Sequence, residues 1–197
     1  MKTLHKPIPD KELKDIVKRM TVIVDTREQK NDHIIEYLNA KKIPYVKRAL
    51  EYGDYSCEIE VNPDHYHPNS ILNPKSVSLE KYVVLERKNS IDEIAQCLRG
   101  DKEASSDANR FERELIRSKA DGCKMILLLE KFSYDRVLMG SERGNYRSQM
   151  QPQVIVARLN TFIARYGLHQ VTLNDNAYSG QMLVALLGRY AYEFLKE

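Results

Sequence analysis

One short apolar segment most constrains how this chain can fold. Residues 124–129 read KMILLL, so every side chain after the lysine is apolar, whichever face of an extended strand it lies on. A strand that is apolar on both faces is typical of the interior of a sheet that is covered on both sides. We therefore predict a central strand from Lys124 to Leu129, with helices packed on both faces of its sheet.

Strand-like and helix-like segments alternate on either side of this central strand. Short apolar or alternating segments predict further strands, and apolar residues at helical spacing predict helices. The predicted strands are 21–25, 43–50, 55–61, 81–87 and 168–173, and the predicted helices are 10–19, 32–41, 90–98, 105–120, 155–166 and 180–195. The alternation predicts one α/β domain, with a mixed central sheet flanked by helices.

Length and composition limit the class of protein. The chain has 197 residues, which suits one ordinary domain. We divide it into an N-terminal basic extension (1–20) and a single domain (21–197), in which 62–78 is a loop insertion with three prolines and 180–196 a closing helix. Asp64, His65 and His67 in the insertion are too few for a convincing metal site, so we expect a structural role there.

The chain carries no signal for export or for a membrane. No apolar segment approaches the roughly 20 residues that span a bilayer, and residues 1–20 are too rich in lysine for a signal peptide. The three cysteines are widely spaced and odd in number, which suits reduced thiols. We expect a cytoplasmic protein, associated with the nucleoid, or lying in the host cytoplasm if the source is viral.

The segment Glu86-Arg87-Lys88 carries the clearest chemical signal. Alternate residues of a strand share a face, so Glu86 and Lys88 point one way and Arg87 points the other. A carboxylate beside a lysine suits metal-dependent phosphodiester hydrolysis, in which the acid binds a divalent cation and the lysine orients or helps to deprotonate the attacking water, or stabilises developing charge. A Mg²⁺-type ion often takes a second carboxylate, for which Asp54 is the natural candidate. The alternative is a solvated strand end.

Three further motifs accompany this segment. In chain order the four are Asp25-Thr26-Arg27-Glu28, Gly53-Asp54, Glu86-Arg87-Lys88 followed by Asp92, and Arg110-Phe111. Together they resemble the nuclease domain of the XPF family of structure-specific endonucleases, which has the restriction-endonuclease-like fold. The resemblance spans about residues 21 to 175.

The resemblance implies a role for each matching residue. It implies a Mg²⁺ (or Mn²⁺) cofactor held by Asp54, Glu86, the backbone carbonyl of Arg87 and Asp25. It implies Lys88 as the catalytic lysine and Asp92 as a brace for Arg87 or Lys88. Arg27 and Arg110 are expected to contact phosphate or to hold the acidic cluster, and the role of Glu28 is the least defined. The alternatives are that Asp25 is a turn acid, that Asp92 favours the helix N-terminus, and that Arg110 pairs with Glu114.

A basic segment offers a surface for DNA. Residues 131–165 contain six basic and two acidic residues, a net charge of +4, in a chain whose total is +3. Arg143, Tyr146 and Arg147 lie in its glycine-containing loop, where arginines suit phosphate and a tyrosine can stack on an unpaired base. The alternative is a solvated surface loop.

The closing helix 180–195 is apolar over more than one stripe, so one face of the domain is not expected to cover all of it. XPF-family nuclease domains dimerise, and the resemblance therefore implies that part of this helix lies in a homodimer interface. The alternative is that the helix lies fully inside the domain. Members of that family usually carry a helix-hairpin-helix module, which does not fit in 197 residues. We therefore expect specificity to come from loops, from dimerisation or from a partner protein.

We hypothesise a divalent-metal-dependent DNA endonuclease that acts on branched, flap or fork DNA in repair or recombination. One alternative is a Holliday-junction resolvase or restriction-type nuclease of the same fold. Another is a non-catalytic DNA-binding scaffold subunit, although such subunits usually lack metal ligands and Asp54, Glu86 and Lys88 are all present.

Overall fold

The computed structural model describes residues 7–66, 75–99 and 106–196. Within them the strands are β1 (Thr21–Val24), β2 (Tyr45–Lys47), β3 (Tyr55–Glu60), β4 (Ser76–Ser78), β5 (Val83–Lys88), β6 (Lys124–Glu130) and β7 (His169–Leu173). The helices are α1 (Asp10–Lys18), α2 (Asp32–Ala40), α3 (Ile91–Cys97), α4 (Ser106–Ala120), α5 (Tyr134–Met139), α6 (Pro152–Tyr166) and α7 (Ser179–Lys196). Short 3-10 turns lie at Pro63–His65, Ser141–Arg143 and Asn176–Tyr178.

The strands form one mixed sheet. The order is β2-β1-β3-β5-β6-β7, and β4 pairs with β3 away from this path. The β5, β6 and β7 strands are parallel, whereas β3 runs antiparallel to both β1 and β5. The predicted α/β fold with a mixed central sheet and flanking helices is confirmed.

The doubly apolar strand β6 contributes to two separate cores. Ile126 and Leu128 pack in the core under α1, α2 and α7. Leu127 and Leu129 pack in the core under α3, α4 and α6. Because strand side chains alternate between faces, a strand with a core on each side must be apolar throughout. This is the physical reason why the KMILLL segment marks the middle of the fold.

The closing helix α7 is largely internal. Its buried residues Leu183, Leu187, Ala191 and Leu195 belong to the first core, and its flanking apolar residues pack partly buried against the same core. Gly180 allows the close approach of α2, since a Cβ at this position would lie 2.6 Å from the Cβ of Tyr37. The packing favours the internal alternative for most of this helix, and dimerisation remains a proposal.

The structure adds to the predicted organisation near the N-terminus. Helix α1, placed in the basic extension by the sequence, buries Leu13 and Ile16 in the first core and so packs with the rest of the domain. His65, in the predicted insertion, has its Nε2 2.8 Å from Glu12 Oε1 and so ties the insertion to α1. His67 lies outside the described residues.

Two elements were not predicted from the sequence. Strand β4 lies within the predicted loop insertion 62–78, and helix α5 precedes the glycine-containing loop that holds Arg143, Tyr146 and Arg147. In addition, the strand predicted at 43–50 is limited to Tyr45–Lys47. None of the described helices is long and apolar enough to cross a membrane.

The close contact at Gly180 generates a testable prediction. We expect Gly180→Ala to lower the free energy of unfolding by about 1–3 kcal/mol, because the added methyl group forces α7 away from Tyr37. Urea unfolding followed by circular dichroism measures this change. Gln181→Ala, at an exposed position of the same helix, is the matched control. Equal stability of both variants would contradict the packing described for α7.

Candidate active site

Asp54 is held between two strands by its own main chain. Its N–H donates to Leu85 O (2.7 Å), and its carbonyl accepts from Asp25 N–H (2.8 Å). The preceding Gly53 has a φ of +73°, and a Cβ there would lie 2.9 Å from Val84 Cβ. Only glycine tolerates both the left-handed backbone and this close approach. Gly53 therefore allows β3 to begin against β5, with Asp54 beside the strand end that carries Glu86.

Glu86 and Lys88 lie on one face of β5, as the alternation predicts. Lys88 Nζ donates to Glu86 Oε1 at 2.5 Å, and both side chains are almost fully buried. The Lys88 ammonium also lies 5.2 Å from the centre of the Phe111 ring, a cation–π contact. The alternative of a solvated strand end is therefore excluded.

One oxygen of Glu86 has no partner among the described residues. Oε2 is buried and accepts no hydrogen bond there. A buried acceptor without a partner ordinarily lowers the free energy of unfolding by about 1–3 kcal/mol. A bound divalent cation would satisfy this oxygen, and carboxylate and carbonyl oxygens are the ligands that Mg²⁺ prefers. The described part of the chain contains no ready cluster of three or more His, Cys, Asp or Glu ligands. The oxygen donors that this strand end offers to such an ion are the carboxylates of Glu86 and Asp54.

The charges of the three groups are strongly coupled. Burial raises the pKa of Asp54 well above its ordinary value, and the nearby Glu86 carboxylate raises it further, against the opposing effect of Lys88. Burial lowers the pKa of Lys88, but Glu86 and other nearby acidic groups, including Asp54 and Glu93, raise it more, so the net shift is well upward. Lys88 is therefore an ammonium group at neutral pH.

Arg87 points to the opposite face of the sheet. Its guanidinium donates to Glu28 Oε1 (2.7 Å from Nε), to Glu130 Oε2 (2.9 Å from Nη1) and to Gln29 O (3.1 Å from Nη2). Its backbone N–H donates to Asp54 Oδ2 at 2.7 Å. Arg87 therefore fixes the end of β5 through its guanidinium and orients the Asp54 carboxylate through its backbone N–H.

Glu130 and His33 extend this network and were missed from the sequence. Glu130 is almost fully buried, and its Oε1 lies 2.8 Å from His33 Nε2. Each is a single residue outside any motif, at the end of β6 and near the start of α2. No sequence signal identified them, although an acid ending an apolar strand is a weak indication of a functional strand end.

Asp25 is fully occupied by hydrogen bonds. Oδ1 accepts from Arg27 N (2.7 Å) and Nε (2.8 Å), while Oδ2 accepts from Arg27 Nη2 (3.0 Å) and Leu50 N (2.6 Å). Burial raises the pKa of Asp25, but these bonds lower it more, so the net shift is downward. A carboxylate offers about four acceptor positions, and Asp25 uses four of them to hold Arg27 and the Leu50 N–H. The predicted part of Asp25 in metal binding remains a prediction.

Arg110 pairs with Glu114 and also lines the cleft, while its predicted contact with phosphate remains a prediction. Its Nε lies 3.8 Å from Glu114 Oε1, the i,i+4 pair that we gave as an alternative. Its half-exposed side chain also lines the cleft beside Glu86 and Lys88. Arg27, half-exposed as well, holds Asp25 and so is part of the acidic cluster.

The predicted role of Asp92 as a brace for Arg87 or Lys88 is wrong. Its carboxylate instead accepts from the backbone N–H groups of Arg147 (2.7 Å) and Ser148 (2.9 Å), which come from the loop before α6. The residue that faces Lys88 is Glu93, whose Oε1 lies 3.7 Å from Lys88 Nζ. Glu93 also accepts from Asn89 N–H, and the N-cap Ser90 accepts from Glu93 N–H. The Ser-x-x-Glu pattern of a capping box is the signal that could have found it.

The predicted stacking role of Tyr146 is also wrong. Its side chain is only 4% exposed and lies in the second core, and its hydroxyl donates to Met150 O at 3.1 Å. A ring enclosed in this way cannot stack on a base without unfolding the loop. Arg143 and Arg147 from the same loop are exposed, as predicted.

Two adjoining clefts open at this strand end. One, of about 180 Å³, is lined by Glu86, Lys88, Glu93, Gln96, Cys97, Arg110 and Phe111. The other, of about 90 Å³, is lined by Arg27, Glu28, Gly53, Asp54, Arg87, Lys88, Glu93, Arg110 and Glu114. Both share Lys88, Glu93 and Arg110. The arrangement offers a small polar space where a phosphate can meet Lys88 and the two carboxylates from one side and the arginines from another.

Comparisons with known proteins identify a family and a fold for this chain. Residues 24–186 match the family model described as the ERCC4 domain. Two solved structures of XPF from Aeropyrum pernix, one in complex with DNA, are similar to the chain, with TM-scores of 0.51 and 0.56 at 17% and 16% identity. The matches cover 85% and 89% of this chain.

This chain spans less than two thirds of those structures, 59% and 66% of their lengths. Identities this low establish the fold alone. Comparison with curated proteins gives no match. The resemblance drawn from the four motifs is confirmed by the family model.

The buried Glu114 generates a prediction about pH. Burial raises the pKa of Glu114, and Glu86 raises it further. A carboxyl group whose pKa is raised by folding destabilises the protein above its unfolded pKa, and this penalty disappears at lower pH. We therefore expect Glu114→Gln to be more stable than the wild type at pH 7.

The difference is expected to shrink as the pH falls toward the ordinary glutamate range, where both proteins carry a neutral side chain. Thermal unfolding at a series of pH values measures it. Glu193→Gln, which alters an exposed i,i+4 pair on α7, is the control. A pH-independent difference for Glu114→Gln would contradict the described environment.

Proposed function

The chain belongs to the ERCC4 domain family, and from this premise we propose that it is a divalent-metal-dependent endonuclease that hydrolyses phosphodiester bonds in DNA. The observation that carries the proposal is the buried group at the ends of β3 and β5. There, Asp54 and Glu86 come from neighbouring strands, Glu86 Oε2 lacks a partner among the described residues, and Lys88 Nζ lies 2.5 Å from Glu86 Oε1.

Asp54, Glu86 and the backbone carbonyl of Arg87 would hold the ion, Mg²⁺ or Mn²⁺. When bound, such an ion polarises the phosphate and makes a coordinated water more acidic. Hard oxygen donors from two strands suit this ion. The unsatisfied Oε2 of Glu86 supports the assignment independently of the family resemblance.

Lys88 is suited to stabilise charge. Its raised pKa keeps it as an ammonium group, so it can donate a hydrogen bond to an oxygen of the phosphate or orient the attacking water. The low dielectric of its buried position strengthens its effect on a developing negative charge.

Arg27 and Arg110 are proposed to orient the substrate. Both are about half exposed and line the smaller cleft, where their guanidinium groups can donate to a phosphate. Their carboxylate partners Asp25 and Glu114 hold them at the rim. Substrate positioning of this kind lowers the barrier by holding the reacting groups in place.

The proposed substrate is branched, flap or fork DNA, or DNA that otherwise contains single strands, in repair or recombination. One of the similar structures is described as a complex with DNA, which supports a DNA substrate in general. The exposed Arg143 and Arg147 support contact with the DNA backbone. A homodimer or a partner protein that supplies specificity, and a cytoplasmic location, remain part of the proposal.

Two other functions remain as alternatives. A Holliday-junction resolvase or restriction-type nuclease of the same fold would use the same buried group on another DNA structure. A non-catalytic scaffold subunit would bind DNA without cutting it. The complete set of Asp54, Glu86 and Lys88, all buried or partly buried together, favours an active enzyme over the scaffold.

We predict that removing either reactive group abolishes cleavage while the fold is retained. Asp54→Asn and Lys88→Met are expected to lower the single-turnover rate by at least about 100-fold, because each removes a charge that acts on the transition state. Asp54→Asn should also leave thermal stability intact or raise it, since burial and Glu86 raise the pKa of Asp54. Labelled fork, flap, splayed-arm and four-way-junction DNA with Mg²⁺ or Mn²⁺ provide the assay.

Asp15→Asn and Lys14→Met, at exposed positions of α1, are the matched controls. Full activity in a folded Asp54→Asn or Lys88→Met protein would reject the assigned site. Preferred cleavage of the four-way junction would favour the resolvase alternative. Tight DNA binding by the wild type without cleavage under any metal would favour the scaffold.

A further inference from the structure

The carboxylate of Asp92 joins two parts of the chain that are far apart in sequence. It belongs to the first turn of α3, and its Oδ1 accepts from both Arg147 N–H (2.7 Å) and Ser148 N–H (2.9 Å). Its Oδ2 lies 3.4 Å from Arg147 Nε. One side chain thus fixes two successive peptide groups and one guanidinium of the segment 143–148, which we call the arginine loop.

A buried side chain of the arginine loop also holds it in place. Tyr146, next to Arg147, is buried in the second core, and its hydroxyl donates to Met150 O. At the start of the loop Gly144 adopts a left-handed backbone with a φ of +70°. The loop is therefore held on both sides of Arg147, which distinguishes it from the solvated loop considered from the sequence.

Arg147 itself projects into solvent. Its side chain is 93% exposed, although its backbone is held by Asp92. Asp92 engages it through Nε, and an exposed guanidinium is suited to donate to a phosphate. A fixed backbone with an exposed guanidinium is the arrangement expected of a group that meets a ligand, because part of the ordering cost is already met.

The first turn of α3 connects the arginine loop to the proposed catalytic group. This helix begins three residues after Lys88, and Glu93 lies 3.7 Å from Lys88 Nζ while also lining both clefts. Adjacent residues of one helical turn, Glu93 and Asp92, therefore contact the catalytic lysine and the arginine loop respectively. The position of Arg147 relative to Lys88 is set through this turn.

We infer that the arginine loop is a preorganised contact surface for the DNA backbone beside the cleft, and that Asp92 is a positioning residue that acts through Arg147. The inference rests on the proposed DNA substrate. It replaces the catalytic role that the sequence suggested for Asp92 with a role in substrate binding. Arg147 contacts a phosphate outside the cleavage site, so it contributes to affinity and leaves the chemical step unchanged.

A double-mutant cycle tests this inference. Asp92→Ala, Arg147→Ala and the double variant are made in an Asp54→Asn background, and binding to a labelled fork is measured by fluorescence anisotropy at several salt concentrations. We expect each single substitution to raise the Kd about tenfold, and Arg147→Ala to lower the salt slope by about one. The double variant is expected to bind no more weakly than Arg147→Ala, because Asp92 acts through that residue.

Three further measurements separate positioning from a merely structural role. Amide hydrogen exchange at Arg147 and Ser148 should become faster in Asp92→Ala, while Asp92→Asn, which keeps an acceptor for both N–H groups, should restore most of the affinity. In the otherwise wild-type protein, Asp92→Ala should raise KM and leave kcat unchanged. Arg189→Ala is the matched control, since Arg189 is an exposed arginine with one carboxylate partner on α7, on the other face of the sheet.

Several results would overturn the inference. These are multiplicative effects in the double variant, unchanged affinity in Arg147→Ala, unchanged amide exchange in Asp92→Ala, or a loss in kcat without a change in KM. The binding measurements do not require hydrolysis. A wild-type protein that binds the fork but never cuts it would therefore refute the proposed nuclease function, while the binding cycle would still decide the role of Asp92.

Discussion

The guanidinium of Arg87 is the interaction on which the rest of the site depends. It lies buried between the carboxylates of Glu28 and Glu130 and the carbonyl of Gln29. The planar, rigid guanidinium donates to all three acceptors from separate nitrogens, a geometry that the compact ammonium group of a lysine does not reproduce. Removal of this cation would leave two buried carboxylates without their partner, a loss that typically costs about 3–5 kcal/mol. The strand end that carries the reactive groups is thus anchored from behind.

The positions of Glu86 and Lys88, the neighbours of Arg87 in β5, depend on these contacts of its guanidinium. Because adjacent residues point to opposite faces, the same strand end that buries Arg87 presents Glu86 and Lys88 to the clefts, and the Arg87 N–H orients Asp54. Two carboxylates and one ammonium are held close together in a poorly solvated position. Burial and Glu86 raise the pKa of Asp54, whereas burial lowers the pKa of Lys88 and the nearby acidic groups raise it more. Such an arrangement stabilises the protein little by itself and is well suited to bind a cation and a phosphate.

The sequence predicts the parts of this site that depend on local geometry. Strand alternation separates Glu86 and Lys88 from Arg87, and the glycine before Asp54 marks the turn that places it beside them. The apolar KMILLL segment predicts the central strand, since a core on each side leaves no place for a polar residue. These inferences need only the period of a strand and the chemistry of neighbouring side chains.

Contacts across long sequence distances could not be predicted. Asp92 satisfies backbone groups 55 and 56 residues away, and nothing near it in sequence indicates that partner. Tyr146 lies among polar and glycine residues typical of an exposed loop, yet the packing of α5 and α6 encloses its ring. Glu130 meets Arg87 because β6 pairs with β5, and His33 meets Glu130 because the folded chain brings the start of α2 to the end of β6.

We propose that the anchored strand end brings Asp54, Glu86 and the Arg87 carbonyl together as a cation site. Anomalous scattering from crystals soaked in Mn²⁺ tests it most directly, because the peak locates the ion without reference to activity. We expect one strong peak beside Glu86 Oε2, within coordination distance of Asp54 and the Arg87 carbonyl. A strong peak elsewhere with none at this position, or a site that stays empty at saturating Mn²⁺, would contradict the account.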